Sequence, residues 1–179
     1  MRDMQAREFN QVTVSTPQLA GRTVVRCARD TMIPSLAALG IAAPPAINRA
    51  ASGDALSLLR LGPDEWLALS AVHHGAELFA RLSDALGPVP SSLVDVTQRQ
   101  VALAVAGSGA EAALATGVPL DLAPAAFPVG MATRTIFEKS EIVLWRTAAN
   151  SFHIEVWRSF APYVMALLDA ARTELAHGK

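Results

Sequence analysis

The chain has 179 residues, 51% of them apolar and 17% charged, with a formal net charge of −1. This length suits one compact domain or two small packed halves. The charged fraction lies below the ~25% of an average soluble domain, which is typical of a subunit with a buried interface. A near-neutral chain with two lysines lacks the dense basic stripe that nucleic acid or an anionic membrane requires, so we expect neither as a partner.

The N-terminal segment and the cysteine content restrict location and chemistry. Residues 1–10 lack the apolar segment of a signal peptide, and no apolar run reaches the ~18 residues of a membrane span. We therefore expect a cytoplasmic protein, and we assign residues 1–20 to an N-terminal extension. The single Cys27 excludes an internal disulfide and a cysteine-based zinc site.

The first predicted strand and helix have a similar pattern to a later segment of the chain. In residues 22–41 an alternating strand leads into a short helix that ends at Gly40. Residues 100–119 repeat this pattern 78 positions later, with a second helix that ends at Gly117. In that second helix, Ser108 and Glu111 have the spacing of a capping box.

A second pattern also occurs twice. Residues 56–70 have the pattern of strand, turn and strand, and residues 142–156 repeat it 86 positions later. Each copy is followed by a helix with one apolar face; Tyr163 is assigned to that face in the second copy. The growth of the shift from 78 to 86 places eight extra residues in the second copy, within residues 121–134.

These repeats predict an α+β protein built from two β-α-β-β-α halves, each a sheet with helices on one side. The first half covers residues 21–87 and the second covers 93–175, joined by a linker at 88–92. Together they form one compact domain.

No pattern for catalysis or metal binding emerges from the chain. The histidines lack H-x-x-x-H spacing, and neither a phosphate loop nor a nucleophile elbow is present. Asp95 is interpreted as a strand-end residue that accepts backbone N–H groups. His153 alternates with Ile154 and is expected to face solvent or a partner, and Glu155 is also open to exposure. We therefore predict no catalytic, cofactor-binding or metal-binding residue in this chain.

The remaining polar and aromatic residues of the second half cannot all point inward on alternating strands. Tryptophan and arginine are enriched at the energetic centres of protein interfaces, whereas a core tryptophan with an arginine beside it is the alternative. The candidate partner interface consists of Arg134, Trp145, Arg146, Trp157, Arg158 and Phe160.

Several long motifs identify a family. The stretches "LVDVTQRQVALAVAG", "PLDLAPAAFPVGMATRT", "EIVLWRT" and "FHIEVWRSFAPYV" resemble the gamma subunits of heterotetrameric sarcosine oxidase, and "LGPDEWL" in the first half fits the same family. The resemblance covers most of residues 50–170. It implies the fold of the folate-binding, aminomethyltransferase-like domain, which is itself built from duplicated α+β halves.

The resemblance also implies a role. Sarcosine oxidase oxidatively demethylates sarcosine to glycine, forms hydrogen peroxide, and passes the one-carbon unit to tetrahydrofolate. FAD, FMN, NAD, folate and zinc are expected in other subunits, and this chain is expected to be an accessory subunit that packs on the alpha subunit. The related transferases carry an aspartate after a glycine-rich turn, whereas this chain has Val143, Leu144 and Trp145 in the corresponding strand, which argues against one-carbon chemistry here.

Two alternatives remain open on the residues. The first is a stand-alone folate-binding module, which requires a buried carboxylate facing an aromatic-lined cleft; Asp95 and Glu155 are the possible suppliers. The second is a homodimer with a regulatory role, and self-association of the isolated chain is expected from its charge-poor composition.

Overall fold

The computed structural model describes residues 11–42 and 46–177, which form two compact units. The first half contains residues 18–42 and 46–100, and the second half combines residues 11–17 with residues 101–177. The strands are β1 (Thr13–Ser15), β2 (Gly21–Arg26), β3 (Arg49–Ser52), β4 (Ser57–Arg60), β5 (Glu65–Ser70), β6 (Ser92–Asp95), β7 (Gln100–Ala106), β8 (Ala132–Phe137), β9 (Ser140–Ala148) and β10 (Ser151–Trp157). The helices are α1 (Arg29–Leu36), α2 (Gly75–Leu86), α3 (Ala110–Ala115) and α4 (Ala161–His177).

The first half has five antiparallel strands in the order β3-β4-β5-β2-β6. Alternating apolar residues put one face of this sheet against α1 and α2, because successive strand side chains point to opposite faces. Trp66 lies at the centre of the resulting core, packed with Leu58 of β4 and Leu82 of α2. Helix α2 is followed by Gly87, whose positive φ of 62° favours glycine.

The second half has five strands in the order β1-β7-β10-β9-β8, with α3 and α4 on one face. Ile142 and Leu144 of β9 and Phe152 of β10 form the centre of its core. From the helices, Leu114 of α3 and Val164 of α4 are buried in the same core.

The duplication and the α+β class are confirmed by the element order. The series β2-α1-β3-β4-β5-α2 of the first half corresponds to β7-α3-β8-β9-β10-α4 of the second. In the pairing of β4 with β5, Arg60 lies opposite Trp66; in the pairing of β10 with β9, Arg146 lies opposite Phe152. The structure adds β3 and β8 to the strands expected for each half.

The division between the halves differs from the sequence assignment. β6 was assigned to the start of the second half, but it pairs with β2 of the first sheet. β1 was assigned to an extension, but it pairs with β7 of the second sheet. Both are edge strands of three or four residues. Each forms backbone hydrogen bonds with a sheet other than the one to which the next strand in the chain belongs, and so covers one edge of the sheet with which it pairs.

Candidate functional site

Arg146 lies inside the second half, where only 2% of its side chain is exposed. Its Nη1 donates to Leu122 O at 2.8 Å and to Phe127 O at 2.9 Å. Its Nε and Nη2 both donate to Ala149 O, at 3.1 Å and 2.7 Å. The guanidinium therefore holds the loop between α3 and β8 to the turn between β9 and β10.

A carboxylate and an aromatic ring complete the surroundings of Arg146. Glu111 of α3 accepts from Nη2 at 3.0 Å, and the guanidinium lies 4.8 Å from the centre of the Phe152 ring. Glu111 was expected to complete a capping box with Ser108, but the N-cap residue of α3 is Gly109 and the Glu111 carboxylate binds Arg146. The carboxylate stabilises the buried cation, because a guanidinium without a counter-ion in the interior is costly.

Trp145, His153 and Glu155 form a second cluster on the opposite face of the same strands. His153 lies directly across from Trp145, with 5.8 Å between the ring centres. The Nε2 of His153 donates to Glu155 Oε1 at 2.7 Å, and the Glu155 side chain is 0% exposed. The expectation that His153 faces solvent or a partner is therefore wrong, and Glu155, for which exposure was left open, is buried. His153 does point away from Ile154, as the alternation requires, but this face of the strand is buried too.

The corner between β10 and α4 presents an exposed aromatic group. Trp157, Phe160 and Tyr163 are 38%, 43% and 39% exposed. The N–H of Phe160 donates to Trp157 O at 2.9 Å and Val164 N–H donates to Phe160 O at 3.0 Å, so one turn connects the strand to the helix. Arg158 is exposed within that turn. We call Trp157, Arg158, Phe160 and Tyr163 the aromatic corner.

Arg134 occupies an edge strand instead. It lies on β8, is exposed, and binds Glu141 of β9 at 2.7 Å. An exposed ion pair of this kind contributes little to stability.

The six residues of the predicted interface thus divide into different places. Trp157, Arg158 and Phe160 come together at the aromatic corner, whereas Trp145 is half-buried and Arg134 lies on β8. Arg146 does not reach the surface, because the carbonyls around it draw its guanidinium inward. The prediction that Arg146 belongs to a partner interface is therefore wrong, and its role is to stabilise the second half from inside.

Sequence reasoning missed Tyr163 at the aromatic corner. Its helical spacing placed it on the apolar face of α4, but Val164 and Leu168 form that face in the structure. The signal that was available is its position three residues after Phe160, which puts the two rings on one side of the helix start.

The cysteine and the acidic residues show little further chemistry. Burial, and to a smaller extent the negative charge of Asp64, raises the pKa of the Cys27 thiol. Across residues 11–42 and 46–177, no three His, Cys, Asp or Glu side chains come together to hold a metal ion. In the same residues, none of the helices combines the length and apolarity needed to cross a membrane.

The model of the sarcosine oxidase gamma subunit family matches residues 29–174 of this chain. The chain belongs to this family. The resemblance inferred from the sequence motifs is thereby confirmed.

Individual gamma subunits agree with this assignment. The chain is 36% identical over 127 residues to the sarcosine oxidase subunit gamma of Corynebacterium sp. strain P-1, a match that covers 71% of this chain and 62% of that one. It is 33% identical over 141 residues to the subunit gamma of an Arthrobacter species, which covers 78% of this chain and 68% of the relative. The chain thus spans about three fifths to two thirds of the length of these relatives.

Two solved structures define the fold. A chain of the heterotetrameric sarcosine oxidase from Corynebacterium sp. U-96, solved in complex with pyrrole 2-carboxylate, matches with a TM-score of 0.85 and 27% identity over 98% of this chain and 92% of that one. Aminomethyltransferase T of the glycine cleavage system from Bartonella henselae matches with a TM-score of 0.63 and 16% identity over 96% of this chain and 52% of that one. The aminomethyltransferase-like fold is therefore confirmed.

Proposed function

We propose that this chain is a non-catalytic gamma subunit of a cytoplasmic heterotetrameric sarcosine oxidase, assembled chiefly on the alpha subunit. The complex demethylates sarcosine to glycine, with oxygen reduced to hydrogen peroxide and tetrahydrofolate as acceptor of the one-carbon unit. The other subunits hold FAD, FMN, NAD, folate and zinc. Family membership and the likeness to a chain of the heterotetrameric enzyme support this proposal.

The observation that carries the docking role is the aromatic corner. Three aromatic side chains, each more than a third exposed, follow one another within seven residues beside Arg158. Aromatic residues and arginine are enriched where protein interfaces bind most strongly, and each buried ring removes a large apolar area from water. The aromatic corner is therefore the surface that we expect the alpha subunit to cover.

Co-purification with the other three subunits tests this role. A tagged chain is expressed with them, and the eluate is assayed for flavin absorbance and sarcosine-dependent peroxide. The double variant Trp157→Ser, Phe160→Ser is expected to retain less than about a tenth of the bound flavin, since two central interface residues together contribute several kcal/mol. Val72→Ser is the matched control, because Val72 is 60% exposed but lies in the first half.

Either of two results contradicts the proposal. Flavin retention equal to that of wild type in the double variant removes the aromatic corner from the interface. A wild-type chain that elutes without any flavin-containing partner removes the subunit role. Circular dichroism of each variant verifies that the chain is folded, and gel filtration of the isolated chain shows whether it self-associates.

The carboxylates required by the alternative, a stand-alone folate-binding module, are already engaged. Glu155 is bound by His153, and Asp95 Oδ1 accepts from the Thr97 N–H at 2.8 Å. Asp95 also lies against the start of α2, where a Cβ added to Gly75 would come within 2.5 Å of its Oδ2. Asp95 is exposed and the buried Glu155 is paired with His153, so neither is the unpaired buried carboxylate that this alternative requires.

A further inference from the structure

Arg60 repeats the position of Arg146 in the first half. Each guanidinium stacks on the aromatic ring six residues further along the chain, at 5.1 Å for Arg60 and 4.8 Å for Arg146. Each also donates to the carbonyl three residues further on, which is Pro63 O at 3.2 Å in the first half and Ala149 O at 2.7 Å in the second. The two arginines are therefore structural equivalents.

The counter-charge of Arg146 has no equivalent around Arg60. The position that corresponds to Glu111, 78 residues earlier, is Ile33. Arg60 is only 7% exposed, its Nε is buried without a hydrogen-bond partner, and Pro63 O is the one acceptor it reaches among the described residues. A largely buried guanidinium with an unpaired N–H lowers the stability of the fold unless a hydrogen-bond acceptor is supplied.

A second cation faces Arg60. Arg49 of β3 lies directly opposite it, and directly opposed residues of an antiparallel pair project to the same face of the sheet. The Nη1 of Arg49 donates to Asn48 O at 3.3 Å, and no carboxylate of the described chain pairs with it. In the second half the residue bonded across from Arg146 is Met131, whose carbonyl accepts the Arg146 N–H.

The nearby acidic residues do not neutralise this pair. Asp64 and Glu65, which follow Arg60 in the chain, bind Arg26 at 3.1 Å and 3.0 Å. The second half therefore has one cation and one anion at this place, whereas the first half has two cations. Like charges directly opposite each other destabilise a sheet, and two guanidinium groups bind an oxyanion in preference to other ligands.

We propose that Arg49 and Arg60 form an oxyanion-binding site in the first half. The ligand is a carboxylate, sulfate or phosphate group, supplied either by a free anion or by an acidic side chain of a partner chain. It takes the place that Glu111 holds in the second half. This inference stands independently of the proposed function, because it concerns the charges of a single chain.

Thermal unfolding of the full 179-residue chain in sodium sulfate tests the site, with sodium chloride at equal ionic strength as reference. For a site filled at about 50 times its dissociation constant we expect the Tm of wild type to rise by roughly 5 °C. Arg49→Met, which copies Met131, should lose this rise. Arg81→Met is the matched control, because it removes the same charge from the exposed face of α2 and should keep the rise.

A general effect of sulfate on protein stability would raise the Tm of all three chains equally, and that result overturns the proposal. A second variant guards against a change in the fold. Ile33→Glu supplies the carboxylate found in the second half, so it should raise the Tm in chloride and abolish the response to sulfate. An unchanged response to sulfate in Ile33→Glu also overturns the site.

The same titration on the purified complex distinguishes the two sources. If a free anion occupies the site, the sulfate response of the single chain persists in the complex. If a carboxylate of a partner occupies it, the response disappears on assembly, and sulfate weakens the association of the wild-type chain more than that of Arg49→Met.

Discussion

Arg60 and Arg146 occupy the same position in two copies of one fold, yet their surroundings differ in charge. Both stack on an aromatic ring and both bind the following turn. Arg146 additionally holds two carbonyls of the loop between α3 and β8 and the carboxylate of Glu111. The stacked arginine is thus a shared feature of the repeat, and the contacts added to it decide whether it stabilises its own half or remains open to an external anion.

The difference also assigns a role to the loop between α3 and β8, which holds part of the extra residues of the second copy. The loop between α3 and β8 has no helix or strand of its own over about 16 residues, a length at which loops are commonly functional or flexible. Here a buried cation binds its backbone at two points, Leu122 O and Phe127 O. The loop is therefore part of the packed structure of the second half.

The largest expected effect separates the two arginines directly. Arg146→Met removes a buried cation whose donors are bonded and leaves the carbonyls and Glu111 without it, so we expect a loss of about 3–5 kcal/mol in the free energy of unfolding. Arg60→Met removes one hydrogen bond and relieves the repulsion from Arg49, so its cost should stay below about 1 kcal/mol. Urea unfolding followed by circular dichroism measures both. Equal losses would show that the two surroundings are energetically the same.

A smaller effect is expected from exchanging the ring under the arginine. Trp66 is fully buried, its Nε1 donates to Cys27 O at 3.1 Å, and its counterpart in the second half is Phe152. Trp66→Phe should cost about 1–2 kcal/mol, through the lost hydrogen bond and the space left by the smaller ring. Trp157→Phe is the control at an exposed site, with an expected change within about 0.5 kcal/mol. If Trp66→Phe costs no more free energy of unfolding than this control, the indole of Trp66 makes no specific contribution to the stability of the core.

The smallest effect concerns Cys27, whose counterpart 78 positions later is the buried Val105. Cys27→Val should change stability by less than about 1 kcal/mol near neutral pH, since the two side chains are similar in volume. Because burial raises the pKa of the folded thiol above 9.0, the unfolded chain releases its proton first as the pH rises. The thiol's contribution is present below pH 9 and is lost above it.

Urea midpoints of wild type and Cys27→Val between about pH 8 and about pH 10.5 test this sign. The stability of wild type relative to the variant should fall over that interval. A constant difference would mean that the thiol titrates alike in the folded and unfolded chain.

The parts of the fold that sequence reasoning predicted are those with strong periodicity. The strand pairs of residues 56–70 and 142–156 were found because apolar residues alternate on both sides of a polar turn, and their pairing is confirmed. β1 and β6 were not assigned to the correct sheets, because three or four residues carry too little pattern and edge pairing depends on distant backbone groups.

The candidate site was predictable only in part, for a related reason. Trp157 and Phe160 were identified from residue type, and residue type also drew Arg146 into the predicted interface. Whether an arginine faces a partner or its own loop depends on carbonyls 19 and 24 residues away, such as Leu122 O. The prediction that Tyr163 lies on the buried face of α4 was wrong. In the first turn of a helix, burial depends on the preceding turn of the chain as well as on the helical period.

The exchange of edge strands has a consequence for synthesis of the chain on the ribosome. The first sheet has all its strands once Asp95 has emerged, so the first half can fold while the second is still being made. Thr13–Ser15 is translated before either half, yet its partners Ala104–Ala106 appear about 90 residues later. Among the described strands, β1 is therefore synthesised first and is among the last to be paired, after the strands of the first half have been made.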